Sequence, residues 1–315
     1  MRPLTIPLLS LLLLSACSTP APPPSSPSIS AAEAPSPLTG LPTAAGQPVL
    51  AVKVDNVSPA RPQTGLTQAD LLYLEPVEGG LTRFVAVFSS RLPASVGPVR
   101  SARESDLELL QQFQRPALAY SGSAPELAPR IGAAPLVPVP PDKARDAYTH
   151  DSRRAAPHNT YASPEKLLAA APGAGAVRDI GFRFGTAPEG GAETTQHVVR
   201  YPAAVVSLDY NPQEQRWRVG MDGAPLAAAE GGALSVGTVV VQKVVVRDSP
   251  FRDSKGTSPF AQTVGSGEAT VLRDGRSYQG RWSRPAADNG TTFTQPGGQP
   301  LTFATGPLLV LLVPA

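Results

Sequence analysis

The stretch LLYLEPVEGGLTRFVAVFS, residues 71–89, consists of two apolar runs on either side of Gly79-Gly80. Two such runs around a pair of glycines predict a β-hairpin with a two-residue turn. Both faces of the two runs carry apolar side chains, which is typical of strands buried within a sheet. We therefore expect this hairpin to lie at the centre of the fold.

The glycine turn also predicts the register of the hairpin. If Glu78 faces Leu81, then Glu75 pairs with Phe84 and points to the face opposite Glu78. Glu78 and Arg83 become diagonal neighbours, so Arg83 is the expected partner of the Glu78 carboxylate. Two carboxylates on opposite faces cannot form the acid–base pair of a glycoside hydrolase unless the hairpin bulges.

The segments around the hairpin predict a mixed α/β domain over residues 38–177. Residues 49–54, V-L-A-V-K-V, form a short strand-like run that ends at Asp55-Asn56. Residues 104–114 have the apolar periodicity of a helix, and Ser163-Pro164-Glu165 has the residues of a helix start. This half therefore combines strands with at least two helices.

The remaining residues, 178–315, predict a β-rich domain of small-barrel or sandwich type. Strand-like runs alternate with turn signals, of which Asp274-Gly275 is typical of a type I′ hairpin. The predicted fold class is α+β, with a mixed α/β N-terminal domain followed by a β-rich C-terminal domain.

The N-terminus has the features of a lipoprotein signal. Arg2 precedes a short apolar run that ends at Leu14-Ser15-Ala16-Cys17, which matches the lipobox. We expect residues 1–16 to be removed and Cys17 to carry a lipid that anchors the chain to a membrane. Residues 17–37 are rich in Pro, Ala and Ser and predict a linker. The predicted location is extracytoplasmic.

Composition argues against several functional classes. Lys and Arg number 27 against 25 Asp and Glu, so the charge balance does not indicate a nucleic-acid partner. With Cys17 lipidated, no thiol is left for a disulfide or a nucleophile. The three histidines, His150, His158 and His197, are dispersed without metal-ligand spacing, and no nucleotide-binding fingerprint occurs. We expect no metal and no cofactor.

Arg100 and Arg103 lie just before the helix predicted at 104–114. Cations at a helix N-terminus are unfavourable by a few tenths to about 1 kcal/mol unless an anion is near. One interpretation is a site for a bound anion. The other is that Asp70, Glu75 or Glu78 neutralises these arginines within the protein, and the sequence leaves both open.

The polar residues of this region are the candidate functional residues. The candidate acids or bases are Glu75, Glu78 and Asp55. The candidate ligand-binding residues are Arg61, Arg83, Arg100, Arg103, Asn56, Asp70, His158 and Asn159. The favoured function is binding of an anionic cell-wall ligand or an envelope protein without catalysis. The alternative is a cell-wall hydrolase or transferase that uses the three carboxylates.

Several motifs carry a resemblance to a known family. They are PLTGLP at 37–42, VKVDN at 52–56, ARPQTGL at 60–66, EPVEGGLTRF at 75–84, VGPVRSAR at 96–103, HNxY at 158–161 and GSGxA at 265–269. With these motifs the chain resembles the YerB-like family of bacterial lipoproteins. The resemblance implies a lipoprotein with an N-terminal and a C-terminal domain. It implies no established activity, cofactor or catalytic residue.

Overall fold

The computed structural model describes residues 33–253 and 256–315. The predicted signal peptide, Cys17 and most of the predicted linker lie outside the described residues. The end of that linker, Glu33–Pro35, is strand β1, which pairs with β2 at Pro42–Ala44. No helix within the two described ranges has the length and hydropathy needed to cross a membrane.

Short and long strands follow one another along the whole described chain. In the first half they are β1 and β2, β3 (Leu50–Asp55), β4 (Leu71–Pro76), β5 (Thr82–Phe88), β6 (Ala117–Ala119), β7 (Val137–Pro138), β8 (Tyr148–His150) and β9 (Thr160–Ala162). In the second half they are β10 (Ala192–Glu193), β11 (Gln196–Tyr201), β12 (Ala204–Asn211), β13 (Arg216–Met221), β14 (Ala224–Pro225), β15 (Ser235–Val236), β16 (Thr238–Val244), β17 (Val246–Asp253), β18 (Gly256–Ala261), β19 (Gly265–Arg273), β20 (Arg276–Arg284), β21 (Thr292–Thr294) and β22 (Leu308–Pro314). The fold is a strand-rich α+β fold.

The helices are short, and the described α-helices all lie in the first half. They are α1 (Glu104–Leu109), α2 (Ala128–Ala133) and α3 (Pro164–Ala169). A 3₁₀ turn over Leu110–Phe113 extends α1, so the helix predicted at 104–114 is present. Helix α3 begins after Ser163 with Pro164 in its first turn, as the sequence predicts.

One sheet of eleven strands runs through the part of the chain that the structure describes. Its order is β10-β20-β19-β16-β22-β4-β5-β3-β6-β7, with β21 beside β20. Strands of the second half therefore extend the sheet of the first half. A further sheet of five strands contains β11 to β15, and β17 pairs with β18 as a separate hairpin. The predicted type I′ turn joins β19 to β20 through Asp274 and Gly275, both at positive φ.

Strand β22 joins the two halves of the large sheet. It pairs in parallel with β16 on one side and with β4 on the other. Its sequence is a continuous apolar run, and Leu308–Leu312 are fully buried. A run without polar alternation suits a strand that is covered on both faces. The central position of β22 follows from this pattern.

The predicted hairpin β4–β5 is present, but its predicted register is wrong by one residue. Glu75 pairs with Arg83, and Pro76 pairs with Thr82. The predicted two-residue turn is also wrong, because the backbone N–H of Val77 bonds to the carbonyl of Leu81 and a 3₁₀ turn covers Glu78–Gly80. A longer connection shifts every cross-strand pair by one position.

The two faces of the large sheet pack against different elements. Leu50, Val52 and Leu74 belong to one core, which includes α3 and Trp217 of the five-stranded sheet. Alternate residues such as Ala51 and Tyr73 belong to a second core, which includes α1, α2 and Trp282. The second face also carries polar residues at the ends of β3, β4 and β5, and those residues form the candidate site.

Candidate functional site

Three adjacent strands place charged side chains on one face of the large sheet. Asp55 on β3 pairs with Arg83 on β5, and Arg83 pairs with Glu75 on β4. Directly opposed residues in antiparallel strands point to the same face. Lys53 lies two residues before Asp55 and shares that face. These four side chains are buried, so each needs a partner within the protein.

Lys53 forms the first group, with Glu75 and Asp106. Its Nζ bonds to Oε1 of Glu75 and lies 2.8 Å from Oδ1 of Asp106, and the three side chains are fully buried. Burial, and after it the charge of Asp106, raise the pKa of Glu75 to about 7 against the opposing effect of Lys53. Oε2 of Glu75 has no hydrogen-bond partner among the described residues.

Lys53 was absent from the candidates derived from the sequence. The signal that could have found it is a single lysine in the apolar run V-L-A-V-K-V. A lysine in a fully buried strand is almost always paired with a carboxylate. Asp106, its second partner, also accepts the backbone N–H of Arg103 at 2.6 Å and so fixes the start of α1.

Glu78 forms the second group, with Arg103 and Arg83. Its two oxygens lie 2.5 and 2.7 Å from Nε and Nη2 of Arg103, while Nη2 of Arg83 is 3.9 Å away. The hydroxyl of Ser258, on β18, also donates to Glu78. Burial alone would raise the pKa of Glu78, but the hydrogen bonds and charge of Arg103 outweigh it and lower that pKa to about 2.

This contact agrees, for Arg103, with the interpretation that carboxylates of the protein neutralise the arginines before α1. The guanidinium of Arg103 is neutralised by Glu78 inside the protein and is buried. Burial, together with the charges of Arg103 and Arg100, lowers the pKa of Arg83 to about 10 against the opposing effect of Glu78 and Asp55. Arg103 and Arg83 therefore belong to the interior.

Asp55 forms the third group, with Arg100 and His158. Its Oδ2 lies 2.8 Å from Nε of Arg100 and 2.7 Å from Nδ1 of His158. The Nε–H of Arg100 does not point towards the Asp55 carboxylate, so the Arg100–Asp55 contact is an ion pair without a hydrogen bond. Since a carboxylate only accepts, Nδ1 of His158 carries the proton. The side chains of Arg100 and His158 are 13% and 17% exposed, so this group borders solvent.

The loop after β3 is held by side-chain amides. Asn56 donates to the hydroxyl of Thr82 at 2.8 Å, and Gln63 donates to the side-chain oxygen of Asn56 at 3.0 Å. Arg61 donates to the backbone carbonyl of Asn56 and forms an ion pair with Asp222 at 2.9 Å. Asn56 and Arg61 thus shape the loop beside the Asp55 group.

Asp70 lies apart from the other candidates, before the amino end of β4, whereas Glu75 and Glu78 lie towards its far end. Its Oδ2 accepts the backbone N–H groups of Ser89 and Ser90 at 2.6 and 2.9 Å. Burial raises its pKa. Asn159 is half-buried and reaches the site through its backbone, whose carbonyl accepts the N–H of Asp151.

The candidate carboxylates do not form a glycosidase pair. The prediction that Glu75 and Glu78 point to opposite faces is wrong, since Arg83 opposes Glu75 and also contacts Glu78. Both carboxylates are nevertheless buried and bonded to cations, which leaves no access for a sugar. With Glu75 ionised, the charges of the three groups balance. The cations are Lys53, Arg83, Arg100 and Arg103, and the anions are Asp55, Glu75, Glu78 and Asp106.

An open cleft lies among the loops that carry the Asp55 group. It has a volume of about 750 Å³ and is lined by residues of the loops around Pro62, Ser95 and Arg154. Arg153, which also lines it, forms a bidentate contact with Asp151. The guanidinium of Arg154 donates to the backbone carbonyls of Pro59 and Pro62, at 3.4 and 2.9 Å. The sequence signal for this surface is H-D-S-R-R at 150–154, a segment that supplies none of the residues predicted for the site.

Comparisons with known proteins agree with this architecture. The family described as "Protein of unknown function (DUF3048)" matches with its N-terminal domain at residues 38–177 and with its C-terminal domain at 197–310. "Putative lipoprotein YerB" of Bacillus subtilis (strain 168) is 49% identical over 81 residues. That match spans 24% of this chain and 24% of the relative, about a quarter of its length.

A solved structure shows the same fold. The crystal structure of the YerB protein from Bacillus subtilis superposes with a TM-score of 0.75 at 23% identity. The superposition covers 89% of this chain and 96% of that chain. The resemblance carried by the sequence motifs is confirmed: the chain belongs to the DUF3048 family, whose relatives include YerB.

Proposed function

We propose that the protein is a lipid-anchored lipoprotein of the cell envelope that binds an anionic envelope ligand in the 750 Å³ cleft. The lipobox that ends at Cys17 supports the anchor. The relative YerB of Bacillus subtilis is described as a putative lipoprotein, which supports a location in the cell envelope.

The observation that carries the proposal is that the guanidinium of Arg154 forms no ion pair or hydrogen bond with a carboxylate of the described residues, and that Asp151 acts on it only through space. The arginines of the buried groups are neutralised by carboxylates and cannot attract a ligand. In the cleft, Asp151 is occupied by Arg153, while Arg154 bonds to neutral carbonyls. A guanidinium without a carboxylate partner in an open cleft favours binding of a carboxylate or phosphate.

The buried groups serve this cleft by positioning its loops. Asp55 joins Arg100, before α1, to His158, between β8 and β9. Arg154 in the same β8–β9 loop bonds to the loop after β3. Because rigid surroundings lower the cost of ordering a binding site, the network prepares the cleft for its ligand.

Thermal unfolding of the purified full chain tests this function against muropeptides, teichoic-acid fragments, inorganic phosphate and citrate. A ligand at one hundred times its Kd stabilises the folded state by about 2.7 kcal/mol. We expect the stabilisation to be lost in Arg153→Ala/Arg154→Ala. It is retained in Arg200→Ala/Arg281→Ala, which removes the same charge from exposed positions outside the cleft. No stabilisation by any of these ligands would contradict the proposal.

The Asp55–His158 contact supports a second candidate, a cell-wall hydrolase or transferase. A histidine held at Nδ1 by a carboxylate presents Nε2 as a general base towards water or a hydroxyl. Nε2 of His158 has no hydrogen-bond partner within residues 33–253 and 256–315. In this version Asp55 orients the base, and Glu75 and Glu78 take no part. Turnover of peptidoglycan fragments that is lost in His158→Gln, with unchanged Kd, supports the enzyme; no turnover by the unmodified chain excludes it.

A further inference from the structure

A second cleft, of about 490 Å³, opens at the amino end of β4, away from the Asp55 group. Two arginines from distant parts of the chain, Arg91 and Arg216, line it. The lining also includes the hydroxyl groups of Thr39, Thr43, Thr67, Ser90 and Ser235 and the carboxylate of Asp70. The hydroxyls of Thr67 and Ser90 donate to Glu230 and Asp70, which leaves the two guanidinium groups and the remaining hydroxyls to face an anion.

Contacts with the backbone place Arg216 in this cleft. Its guanidinium packs against Gly306, where a Cβ atom would lie only 2.8 Å from Nη1. Gly306 has a φ of 121°, and its N–H donates to the carbonyl of Thr39 at 2.8 Å. Glycine is needed here both for the close approach of the arginine and for the positive φ. The guanidinium is therefore held beside the Thr39 wall.

The same backbone segment brings Arg91 to the cleft. Leu308, two residues after Gly306, donates its N–H to the carbonyl of Asp70 at 3.1 Å. The carboxylate of Asp70 accepts the N–H of Ser90 at 2.9 Å, and Arg91 follows directly. A continuous set of contacts thus connects the two arginines across the cleft.

The two arginines form no ion pair or hydrogen bond with a carboxylate within the described parts of the chain, although Asp70 lies near enough to Arg91, and Glu214 near enough to Arg216, for electrostatic attraction. The two oxygens of Asp70 are occupied by Ser89 and Ser90. Glu230, the acid beside Thr67, accepts bonds from Gly65 and Thr67 through one oxygen. The cleft therefore carries a net positive charge.

We propose that this cleft is a binding site for a phosphate group. Guanidinium groups match the geometry of phosphate oxygens, and hydroxyl groups complete the coordination of such an anion. One source is the headgroup of an anionic phospholipid, and the other is a soluble or polymeric phosphate. Thr39 and Thr43 lie close in sequence to the linker from Cys17, which puts both sources within reach of an anchored chain.

Thermal unfolding of the full chain in non-ionic detergent tests this site. One arm titrates inorganic phosphate and glycerol phosphate. The other arm compares micelles doped with phosphatidylglycerol against micelles doped with phosphatidylcholine. We expect a saturable rise in the unfolding temperature in at least one arm. Arg91→Gln and Arg216→Gln should each weaken it at least tenfold in apparent Kd, whereas Arg200→Ala/Arg281→Ala should not.

The outcomes separate the sources and the two sites. A rise with soluble phosphate identifies a free phosphate, and a rise only with phosphatidylglycerol identifies a headgroup. No rise in either arm overturns the proposal, as does a rise that both Arg→Gln variants retain. Because Arg153→Ala/Arg154→Ala leaves Arg91 and Arg216 in place, a phosphate response lost only in that variant belongs to the 750 Å³ cleft and counts against the second site.

Discussion

Lys53 and Asp106 are 53 residues apart in sequence, and Nζ of Lys53 lies 2.8 Å from Oδ1 of Asp106 with both side chains fully buried. Glu75 bonds to the same amine. The contact joins strand β3 to the first turn of α1. Asp106 also accepts the backbone N–H of Arg103, and the side chain of Arg103 bonds to Glu78. The stability of this part of the fold therefore depends on one ammonium group between two carboxylates.

Replacement of Lys53 by methionine should be strongly destabilising. The variant keeps the volume of the side chain but leaves Glu75 and Asp106 buried without a cation. Removal of one partner of a buried ion pair costs about 3–5 kcal/mol. Urea denaturation of Lys53→Met measures this loss. Lys166→Met is the control, because Lys166 is exposed, and it should change the free energy of unfolding by less than about 0.5 kcal/mol.

Glu75 and Glu78 should have opposite effects on the pH dependence of stability. The pKa of Glu75 is raised by burial to about 7, so the folded state holds this proton more tightly than the unfolded state. Stability from Glu75 is full below its ordinary pKa of 4.5 and falls as the pH rises towards 7. The pKa of Glu78 is lowered to about 2, so its contribution is full above 4.5 and is lost as the pH falls towards 2.

Denaturation of the Glu75→Gln variant over pH 4 to 8 measures the first effect. Glutamine cannot titrate, so the decrease in unfolding free energy between pH 4.5 and 7 should become smaller than in the unmodified protein. Glu165→Gln, on the exposed surface of α3, should leave that decrease unchanged. An equal decrease in the Glu75→Gln variant would assign the pH dependence to other groups.

Ser258 should attach the β17–β18 hairpin to the sheet. Its hydroxyl donates to the buried carboxylate of Glu78, and a hydrogen bond to a charged group contributes about 1.5–3 kcal/mol. In Ser258→Ala, amide hydrogen exchange should accelerate in residues 246–261 more than in β4 or β22. Ser266→Ala, at an exposed position on β19, should show no such local change. Uniform acceleration over the whole chain would mean that Ser258 stabilises the fold globally.

Two glycine substitutions should have opposite signs. A Cβ on Gly97 would lie 2.8 Å from the Tyr161 ring and 2.9 Å from the carbonyl of Thr160, so Gly97→Ala should destabilise by about 1–3 kcal/mol. A Cβ on Gly132, in α2, would meet no atom within 4 Å. Gly132→Ala should therefore stabilise by about 0.4–1 kcal/mol, since alanine favours a helix. Thermal denaturation of both variants measures the two effects. Because Tyr161 lines the 750 Å³ cleft, Gly97→Ala should also lower the affinity of that cleft for its ligand.

Much of the local structure could be predicted from the sequence. The apolar runs of β4 and β5, the helix starts at Glu104 and Pro164, and the Asp274-Gly275 turn depend on residues close in the chain. Propensity and turn chemistry act over such distances. The register of β4–β5 was wrong, because the turn through Glu78–Gly80 is one residue longer than Gly79-Gly80 alone indicates.

The candidate site was predicted in composition but not in arrangement. The sequence marked Asp55, Glu75, Glu78 and the arginines as too polar for a simple core, and the structure brings most of them to one face. It could not show that Asp70 lies elsewhere or that the guanidinium of Arg154 bonds to backbone carbonyls. Partner choice among charges depends on distances between segments far apart in the chain.

The sequence by itself therefore determined the elements, the lipobox, the family and the existence of a charged cluster. Only the tertiary structure decided which charges neutralise each other and which remain for a ligand. The physical reason is that strand and helix preferences arise from neighbouring residues, whereas the energy of a buried charge depends on the one partner that the fold places within bonding distance. His158 and Asp55 are 103 residues apart in sequence, and only the tertiary structure brings their side chains into contact.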